Sequence, residues 1–207
     1  MKTYSIPCQN STHQIGLDRD GCIHLLDHDI NEEETLAYMG METSVCYKFS
    51  LLLEDSPSKA LIRAARLDFP NIVRLAIDVG ADANACTGNA LWLVSENGHL
   101  DLLELMLAKG GDPDAANGAP LRLAVLRGHL GVVKRLLKER VSVNARGGAA
   151  LRLAIKKDNV KMVKTLLEAG ANPQLDNNAA LRYAVRGRGS RIVELLLEHG
   201  ADPSVLE

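Results

Sequence analysis

A chain of 207 residues is long enough to bury a substantial core in one or two domains. Aromatic residues make up only 3% of it and hydrophobic residues 46%, so the apolar content is mainly Leu, Ala, Val and Ile, which favours tightly stacked helices. The four cysteines show no CxxC spacing, and the sequence has neither a signal-peptide core nor a membrane-length apolar stretch. We therefore expect a reduced, cytoplasmic or nuclear protein with no membrane partner.

The small overall charge of −2 hides a division along the chain. Residues 1–57 carry three Lys or Arg against ten Asp or Glu, a net charge of −7. Residues 58–207 carry 21 against 16, a net charge of +5, and the window 119–191 carries 16 against four, a net charge of +12. Asymmetry of this kind bears on the partners of a protein rather than on its fold.

The first 57 residues predict a small acidic α+β segment. The stretch HQIGLDRDGCIHLLDHD is typical of two short strands around a turn at residues 18–21. DINEEETLAYMG then predicts a helix capped by Asp29, with acidic residues in its first turn. SVCYKFSLLLED is an apolar run for which periodicity does not decide between strand and helix. We expect part of this segment to cover the N-terminal edge of the helices that follow, with Pro57 opening the first of them.

The same segment concentrates residue types that bind metals: Cys8, His13, Cys22, His24, His28 and Cys46. Their spacing matches no zinc signature, and such residues on strands are more often packed, so no metal site is predicted. Asp27, Asp29 and Asn31 alternate as in a calcium loop. An EF-hand is excluded because Glu32 stands where glycine is needed and Tyr38 where the bidentate acid is needed. The alternative left open is an enzyme or metal-binding domain here, targeted by the rest of the chain.

From residue 58 onward the sequence repeats with a period of 30 residues. Four apolar columns keep this spacing through five copies. The first two are Leu61, Leu91, Leu121, Leu151, Leu181 and Ala64, Val94, Ala124, Ala154, Ala184. The other two are Val73, Leu103, Val133, Val163, Val193 and Ile77, Leu107, Leu137, Leu167, Leu197. No insertion breaks the register, so the predicted units are 58–88, 89–118, 119–148, 149–178 and 179–207.

Each unit predicts a pair of helices. In the third unit, Leu121, Ala124 and Val125 have the spacing of a short first helix, which Gly128 would end. A second helix would place four apolar residues on one face: Leu130, Val133, Leu136 and Leu137. Because one such pair cannot bury both of its faces, neighbouring pairs are expected to stack into a continuous core.

The ends of the second helices carry a further signal. In four units a glycine follows the helix, because glycine takes the left-handed cap conformation at little cost: Gly80, Gly110, Gly170 and Gly200. Arg140 replaces it in the third unit, so we expect a slightly strained cap there. In the last unit, Leu195 occupies a column held by Arg135 and Thr165, so we expect an exposed apolar side chain at the C-terminal edge. Either a partner covers this edge or it frays.

Three units resemble ankyrin repeats: ALWLVSENGHLDLLELMLAKGGDPDA, PLRLAVLRGHLGVVKRLLKERVSVNA and ALRYAVRGRGSRIVELLLEHGADP. They follow the family pattern TPLHLAA…GH…VV…LL…GADVNA, and the five copies in register extend the resemblance over about 150 residues of the chain. The usual unit has 33 residues, so three are missing here, all between the Asn-Ala and Pro-Leu landmarks. Links such as NARGGAALRLA are therefore predicted to be ankyrin fingers with a shortened tip. The resemblance implies an all-α repeat solenoid, an ankyrin-like helix-turn-helix stack, after the small α+β N-terminal segment.

The resemblance also implies where a partner binds, namely the concave side formed by the first helices and the fingers. Carried over column by column, the candidate partner-binding residues are Arg66, Trp92, Glu96, Asn97, Leu126, Arg127, Arg146, Lys156, Lys157, Arg186 and Arg188. No column supplies a nucleophile with a base, a metal cluster or a phosphate-binding loop, so we predict no catalysis and no cofactor. The predicted function is a protein interaction module, an adaptor or inhibitor, whose basic residues receive an acidic protein surface. The alternative is that these residues are only a solvated helix face.

Other interpretations of the same residues remain. The column of Arg122, Arg152 and Arg182 matches a family position that ties neighbouring loops together, so we expect a structural role there. Trp92 is either a binding anchor or a packed junction between the first two units. Nucleic acid is disfavoured as a partner, because aromatics for base stacking are few and the N-terminal third is acidic. Self-association through the acidic residues 1–57 and the basic window 119–191 is a further hypothesis.

Overall fold

The computed structural model of the chain describes residues 2–7, 12–17, 23–25, 57–78, 80–187 and 190–206. Its residues group into two units, Met1–Ala85 and Cys86–Glu207. The first predicted helix pair therefore falls in the same unit as the N-terminal strands. The boundary at residue 57 inferred from the repeat stays a prediction.

An antiparallel sheet of three strands forms part of the first unit, in the order β1 (Lys2–Pro7), β2 (Thr12–Leu17) and β3 (Ile23–Leu25). Tyr4 lies opposite Ile15, and Gly16 lies opposite His24. The two strands predicted around residues 18–21 are β2 and β3, which confirms that prediction, whereas β1 was not predicted. The elements predicted for residues 29–40 and 44–55 lie outside the described residues, as do Cys8, Cys22, His28 and Cys46.

The first unit also contains a helix pair, α1 (Pro57–Arg66) and α2 (Pro70–Asp78). Pro57 opens α1, as the sequence indicates, because its fixed φ suits the first turn of a helix. Leu61 and Ala64 are fully buried on this helix. Downstream of α2 the chain is tied back to α1, since the backbone N–H of Asp82 donates to the Ser58 hydroxyl (3.0 Å).

Helix pairs account for nearly all of the second unit. The first helices of the pairs are α3 (Ala85–Asn97), α5 (Ala115–Arg127), α7 (Ala145–Lys156) and α9 (Leu175–Arg186). The second helices are α4 (Leu100–Ala108), α6 (Leu130–Leu137), α8 (Val160–Glu168) and α10 (Ser190–Glu198), and a 3₁₀ turn follows at Pro203–Leu206. First helices pack on first helices, as α5 does on α7 and α7 on α9, and α8 packs on α10. The unit is an all-α repeat solenoid, as predicted, and none of its described helices is long and apolar enough to span a bilayer.

Burial follows the first two repeat columns throughout, whereas the fourth column is mixed, since Leu167 is buried and Leu197 is 37% exposed. Leu91, Leu121, Leu151 and Leu181 are at most 1% exposed, which confirms the first column as core. On α6, Val133 and Leu136 are buried as predicted, whereas Leu130 and Leu137 are only half-buried and Val132 is buried instead. The predicted exposure of Leu195 is wrong, because this side chain is only 3% exposed. Leu195 lies three residues after the buried Ile192, on the same face of α10.

The predicted strain at Arg140 is also wrong. Gly110 and Gly170, which follow α4 and α8, have φ angles of 84° and 88°, whereas Arg140 is not among the residues with positive φ. Helix α6 instead ends at Leu137, with its cap residue Lys138 in right-handed helical geometry (φ −74°). The chain leaves this helix before a left-handed residue is needed.

The first four residues of the ranges given for α3, α5, α7 and α9 form a link that leads into the right-handed helix, and each link contains three consecutive residues in the left-handed conformation. In the third predicted unit they are Arg146, Gly147 and Gly148, with φ angles of 53°, 64° and 76°. The same geometry recurs at residues 86–88, 116–118 and 176–178. Left-handed turns of this kind are unfavourable for most L-residues, so neighbouring repeats must hold them in place. A single left-handed turn thus replaces the longer hairpin of a full-length finger.

Hydrogen bonds between adjacent repeats hold the links in register. Asn144 accepts a hydrogen bond at Oδ1 from the backbone N–H of Asn172 (2.8 Å) and donates through Nδ2 to the Gly170 carbonyl (3.2 Å). One repeat earlier, Asp114 Oδ1 accepts from the backbone N–H of Ser142 (3.1 Å). One repeat later, Gln174 donates to the Gly200 carbonyl (2.7 Å). This column therefore fixes the spacing of the stack.

Candidate protein-binding surface

The candidate surface is the first-helix face, defined here as the exposed and half-exposed side chains of α3, α5, α7 and α9, of the links at their N-terminal ends and of the residue that directly follows each helix. It carries most of the candidate residues: Trp92, Glu96, Asn97, Leu126, Arg127, Arg146, Lys156, Lys157 and Arg186. Arg66 is exposed at the end of α1 in the first unit. Arg188 lies outside the described residues.

Two candidates at the start of this face neutralise each other. Arg127 at the end of α5 donates through Nη2 to Glu96 Oε1 on α3 (2.7 Å), and its Nε donates to the same oxygen (3.1 Å). The Glu96 side chain is 20% exposed and that of Arg127 is 59% exposed. Arg127 therefore presents less net positive charge to a partner than its sequence column suggests.

Trp92 is held in place by its own helix. Its indole Nε1 donates to Asn89 Oδ1 (3.0 Å) in a partly buried position. The ring is half-buried rather than free in solvent. This orientation fixes one edge of the indole and leaves part of its apolar surface available for contact.

Two members of the arginine column tether the links, which confirms the structural role expected for Arg152 and Arg182. The prediction does not hold for Arg122, whose Nε is buried without a hydrogen-bond partner among the described residues. Arg152 donates to the carbonyl oxygens of Gly147 and Arg146 in the preceding link, and its Nη1 lies 3.3 Å from Asp176 Oδ2 in the next link. Arg182 donates through Nη2 to the Asp176 carbonyl (3.3 Å). These contacts oppose the left-handed strain of the links by satisfying carbonyl groups that the turn exposes.

The basic half of the face lies on α7 and α9. Lys157 and Arg186 are exposed and make no ion pair or hydrogen bond through their side chains to any other described residue, and the same holds for the side chain of Arg146. Lys156 is also exposed, and its Nζ lies 4.6 Å from the centre of the Tyr183 ring on the next repeat. This distance is within the range of a cation–π interaction. The structure thus gathers cations from two adjacent repeats around one aromatic ring.

Sequence reasoning missed Tyr183. It belongs to a column that begins with Arg63 and whose members in the next three repeats are Leu93, Leu123 and Leu153. Leu93 is 9% exposed and Tyr183 is 37% exposed, so the column lies at the border of the core and reaches solvent at the end of the stack. The signal in the sequence was the replacement of a recurrent Leu by Tyr next to the arginine column.

A shallow cavity of about 240 Å³ adjoins Tyr183. Asp176, Ala179, Arg182, Tyr183 and Arg186 line it. Within the part of the chain that the structure describes, no group of three or more His, Cys, Asp or Glu is placed to hold a metal ion. The metal-binding types noted in residues 1–57 fall mostly outside that part, so that alternative stays open.

The comparison with known families agrees with this architecture. A family model described as Ankyrin repeats (3 copies) matches residues 60–147 and again residues 121–206. These two matches span well over half of the chain, and the chain belongs to the ankyrin-repeat family. No curated protein sequence matches it. Ankyrin repeats are generally protein–protein interaction modules and are typically non-catalytic.

Proposed function

We propose that the first-helix face binds an acidic surface on another intracellular protein, and that the chain acts as a non-catalytic adaptor or inhibitor. One observation carries this proposal. The exposed cations Arg146, Lys157 and Arg186 have no partner side chain among the described residues. Uncompensated charge on one surface attracts an oppositely charged partner and speeds its association.

Apolar side chains on the same face support direct contact with the partner, in addition to electrostatic attraction during association. Leu126 and Leu153 are half-buried, and Trp92 lies at the other end of the face. Interfaces commonly combine such partly exposed apolar anchors with a polar rim. The basic residues would therefore bring the acidic partner in, and the apolar residues would contribute most of the buried area.

The test neutralises together three cations of the first-helix face that contact no other described side chain: Arg146→Gln, Lys157→Gln and Arg186→Gln. The matched control removes the same charge from exposed lysines on the second helices or directly after them: Lys134→Gln, Lys138→Gln and Lys161→Gln. Each tagged protein is used to recover partners from a nuclease-treated native lysate, after circular dichroism has verified its fold. We expect the first variant to lose specific partners that the control keeps. Equal recovery by both variants, or recovery that requires nucleic acid, contradicts the proposal.

The charge division of the chain supports a second assembly, in which the acidic residues 1–57 of one copy bind the basic window 119–191 of another. Electrostatic association of this kind weakens as salt screens the charges. Sedimentation at low and high salt tests it. A dimer at low salt that dissociates at high salt is expected, and a monomer at both salt concentrations rules this assembly out.

A further inference from the structure

The cavity beside Tyr183 differs in chemistry from the rest of the first-helix face. Ala179, Arg182, Tyr183 and Arg186 are spaced at helical intervals, so their side chains emerge on one side of α9. Ala179 is small and buried, so it adds little bulk to the cavity. Basic groups therefore border an aromatic wall.

The one carboxylate in this cavity is already engaged. Asp176 Oδ2 lies 3.3 Å from Nη1 of Arg152, which belongs to the preceding repeat. The side chain of Arg186 makes no ion pair or hydrogen bond with another described residue. On the neighbouring helix, Lys156 places its Nζ 4.6 Å from the centre of the Tyr183 ring. The excess of charge at the cavity is therefore positive, and it is contributed by two adjacent repeats.

The volume of the cavity limits the size of the group that can bind in it. Pockets for drug-sized ligands are typically about 300–1,000 Å³ and bury most of the ligand. A cavity of about 240 Å³ that is lined on one side by a single helix matches one side chain of a bound peptide better than a free cofactor. Arginine recognises carboxylate through two parallel hydrogen bonds, which a lysine cannot form.

We propose that this cavity receives one Asp or Glu side chain of an acidic peptide segment, with its carboxylate held by Arg186 and its stem against the Tyr183 ring. The proposal rests on the proposed function, since it names the chemistry by which the first-helix face recognises its partner. It also assigns Tyr183 as the residue that distinguishes this repeat from the three before it. A general basic surface needs neither an aromatic ring nor a planar guanidinium group.

The experiment uses the full chain and a fluorescently labelled hexaglutamate peptide, with hexaglutamine as the neutral peptide. Arg186→Lys keeps the charge and removes the bidentate geometry, while Tyr183→Leu installs the residue of the earlier repeats and Tyr183→Phe keeps the ring. We expect hexaglutamate to bind the wild type and Tyr183→Phe similarly. Arg186→Lys and Tyr183→Leu should each weaken binding by about threefold to tenfold.

Two results overturn the inference. One is the absence of hexaglutamate binding to the wild type, and the other is equal binding by the wild type, Arg186→Lys and Tyr183→Leu. Neither result touches the proposed function if the triple glutamine variant still loses partners that its control keeps. If the triple glutamine variant instead keeps every partner that its control keeps, the proposed function itself is contradicted.

Discussion

Arg127 at the end of α5 and Glu96 on α3 form an ion pair across adjacent repeats, with Nη2 of the arginine 2.7 Å from Oε1 of the glutamate. Both residues were candidates for partner binding on sequence grounds. Their mutual neutralisation shifts the uncompensated positive charge of the first-helix face toward α7 and α9. The pair is therefore best understood as a tie between repeats that borders the basic region.

The coupling free energy between Arg127 and Glu96 is expected to be small. Because Arg127 is 59% exposed, solvent screens the interaction, and such pairs contribute less than about 1 kcal/mol. A double-mutant cycle with Glu96→Gln and Arg127→Gln, followed by urea unfolding, measures it. We expect a coupling free energy below about 1 kcal/mol that falls with added salt. A coupling of several kcal/mol would show that the pair is far less screened than its exposure indicates.

Neighbouring repeats approach each other closely at Gly88, so a substitution there is expected to reduce stability more than loss of the ion pair does. A Cβ atom at this position would lie 2.5 Å from the Cβ of Ala115, whereas a Cβ at Gly110 meets nothing within 4 Å. Both glycines have positive φ, so alanine at either costs about 1 kcal/mol of backbone strain. We expect Gly88→Ala to destabilise the protein by a further 1–3 kcal/mol or so because of overpacking.

Gly110→Ala is the matched control for that substitution, since it carries the backbone strain without the collision. Chemical unfolding of both variants gives the comparison. The cost of Gly88→Ala should also fall when Ala115→Gly is present, because that change removes the colliding atom. Equal costs at the two glycines would mean that the two repeats separate freely at this point.

The hydrogen-bonding column predicts a graded series at Asn144. Asn144→Asp keeps the acceptor for the Asn172 N–H and removes the donor to the Gly170 carbonyl, while Asn144→Ala removes both bonds. Each exposed bond is expected to contribute about 1 kcal/mol or less. Urea unfolding should therefore rank the wild type above Asn144→Asp and Asn144→Asp above Asn144→Ala. If Asn144→Ala unfolds like the wild type, the column does not hold the repeats in register.

The pKa of Asp202 predicts an acid-dependent contribution at the C-terminal turn. The backbone N–H of Ser204 donates to Asp202 Oδ1 (3.0 Å) and its hydroxyl donates to Oδ2 (2.8 Å), and these bonds lower the pKa of the carboxyl below its usual value near 3.8. The unfolded chain therefore takes up this proton at higher pH than the folded chain does. The stabilisation is complete above about pH 4 and is lost as the pH falls through the lowered pKa.

A carbon-detected NMR titration measures this pKa directly. Ser204→Ala removes the hydroxyl bond and keeps the backbone bond, so the pKa of Asp202 should rise part of the way toward its usual value. An unchanged pKa in this variant would assign the whole shift to the backbone N–H.

Much of the fold follows from periodicity alone. The column of Leu91, Leu121 and Leu151 is apolar at a fixed spacing, and a residue repeated in this way has the same buried environment in each copy. The left-handed conformation of Cys86 and Thr87 could not be predicted, because these residue types do not favour it. Their geometry is set by the distance between neighbouring repeats rather than by local preference.

The repeat columns predicted which residues lie on the first-helix face, but they did not predict which of these residues contact each other. Arg127 lies 31 residues after Glu96, which is one repeat of 30 residues plus one position. The ion pair therefore depends on how the two helices are aligned. Tyr183 and Lys156 meet for the same reason. Leu195 was misjudged because polar neighbours in its column suggested exposure, although Arg135 itself has a side chain only 25% exposed. A long polar side chain at a half-buried position can lie along the helix surface with its charged end in solvent. A polar residue in a column therefore does not show that the position is exposed.

The most direct test of the central claim is photo-crosslinking from a single position on each face. A benzophenone amino acid replaces Lys157 beside the first helices in one protein and Lys134 on a second helix in the other, and both are irradiated in native lysate. Binding of an acidic partner to the first-helix face predicts protein adducts from position 157 that weaken with salt, and few from position 134. Adducts from position 134 alone, or equal adducts from both positions, would contradict the account.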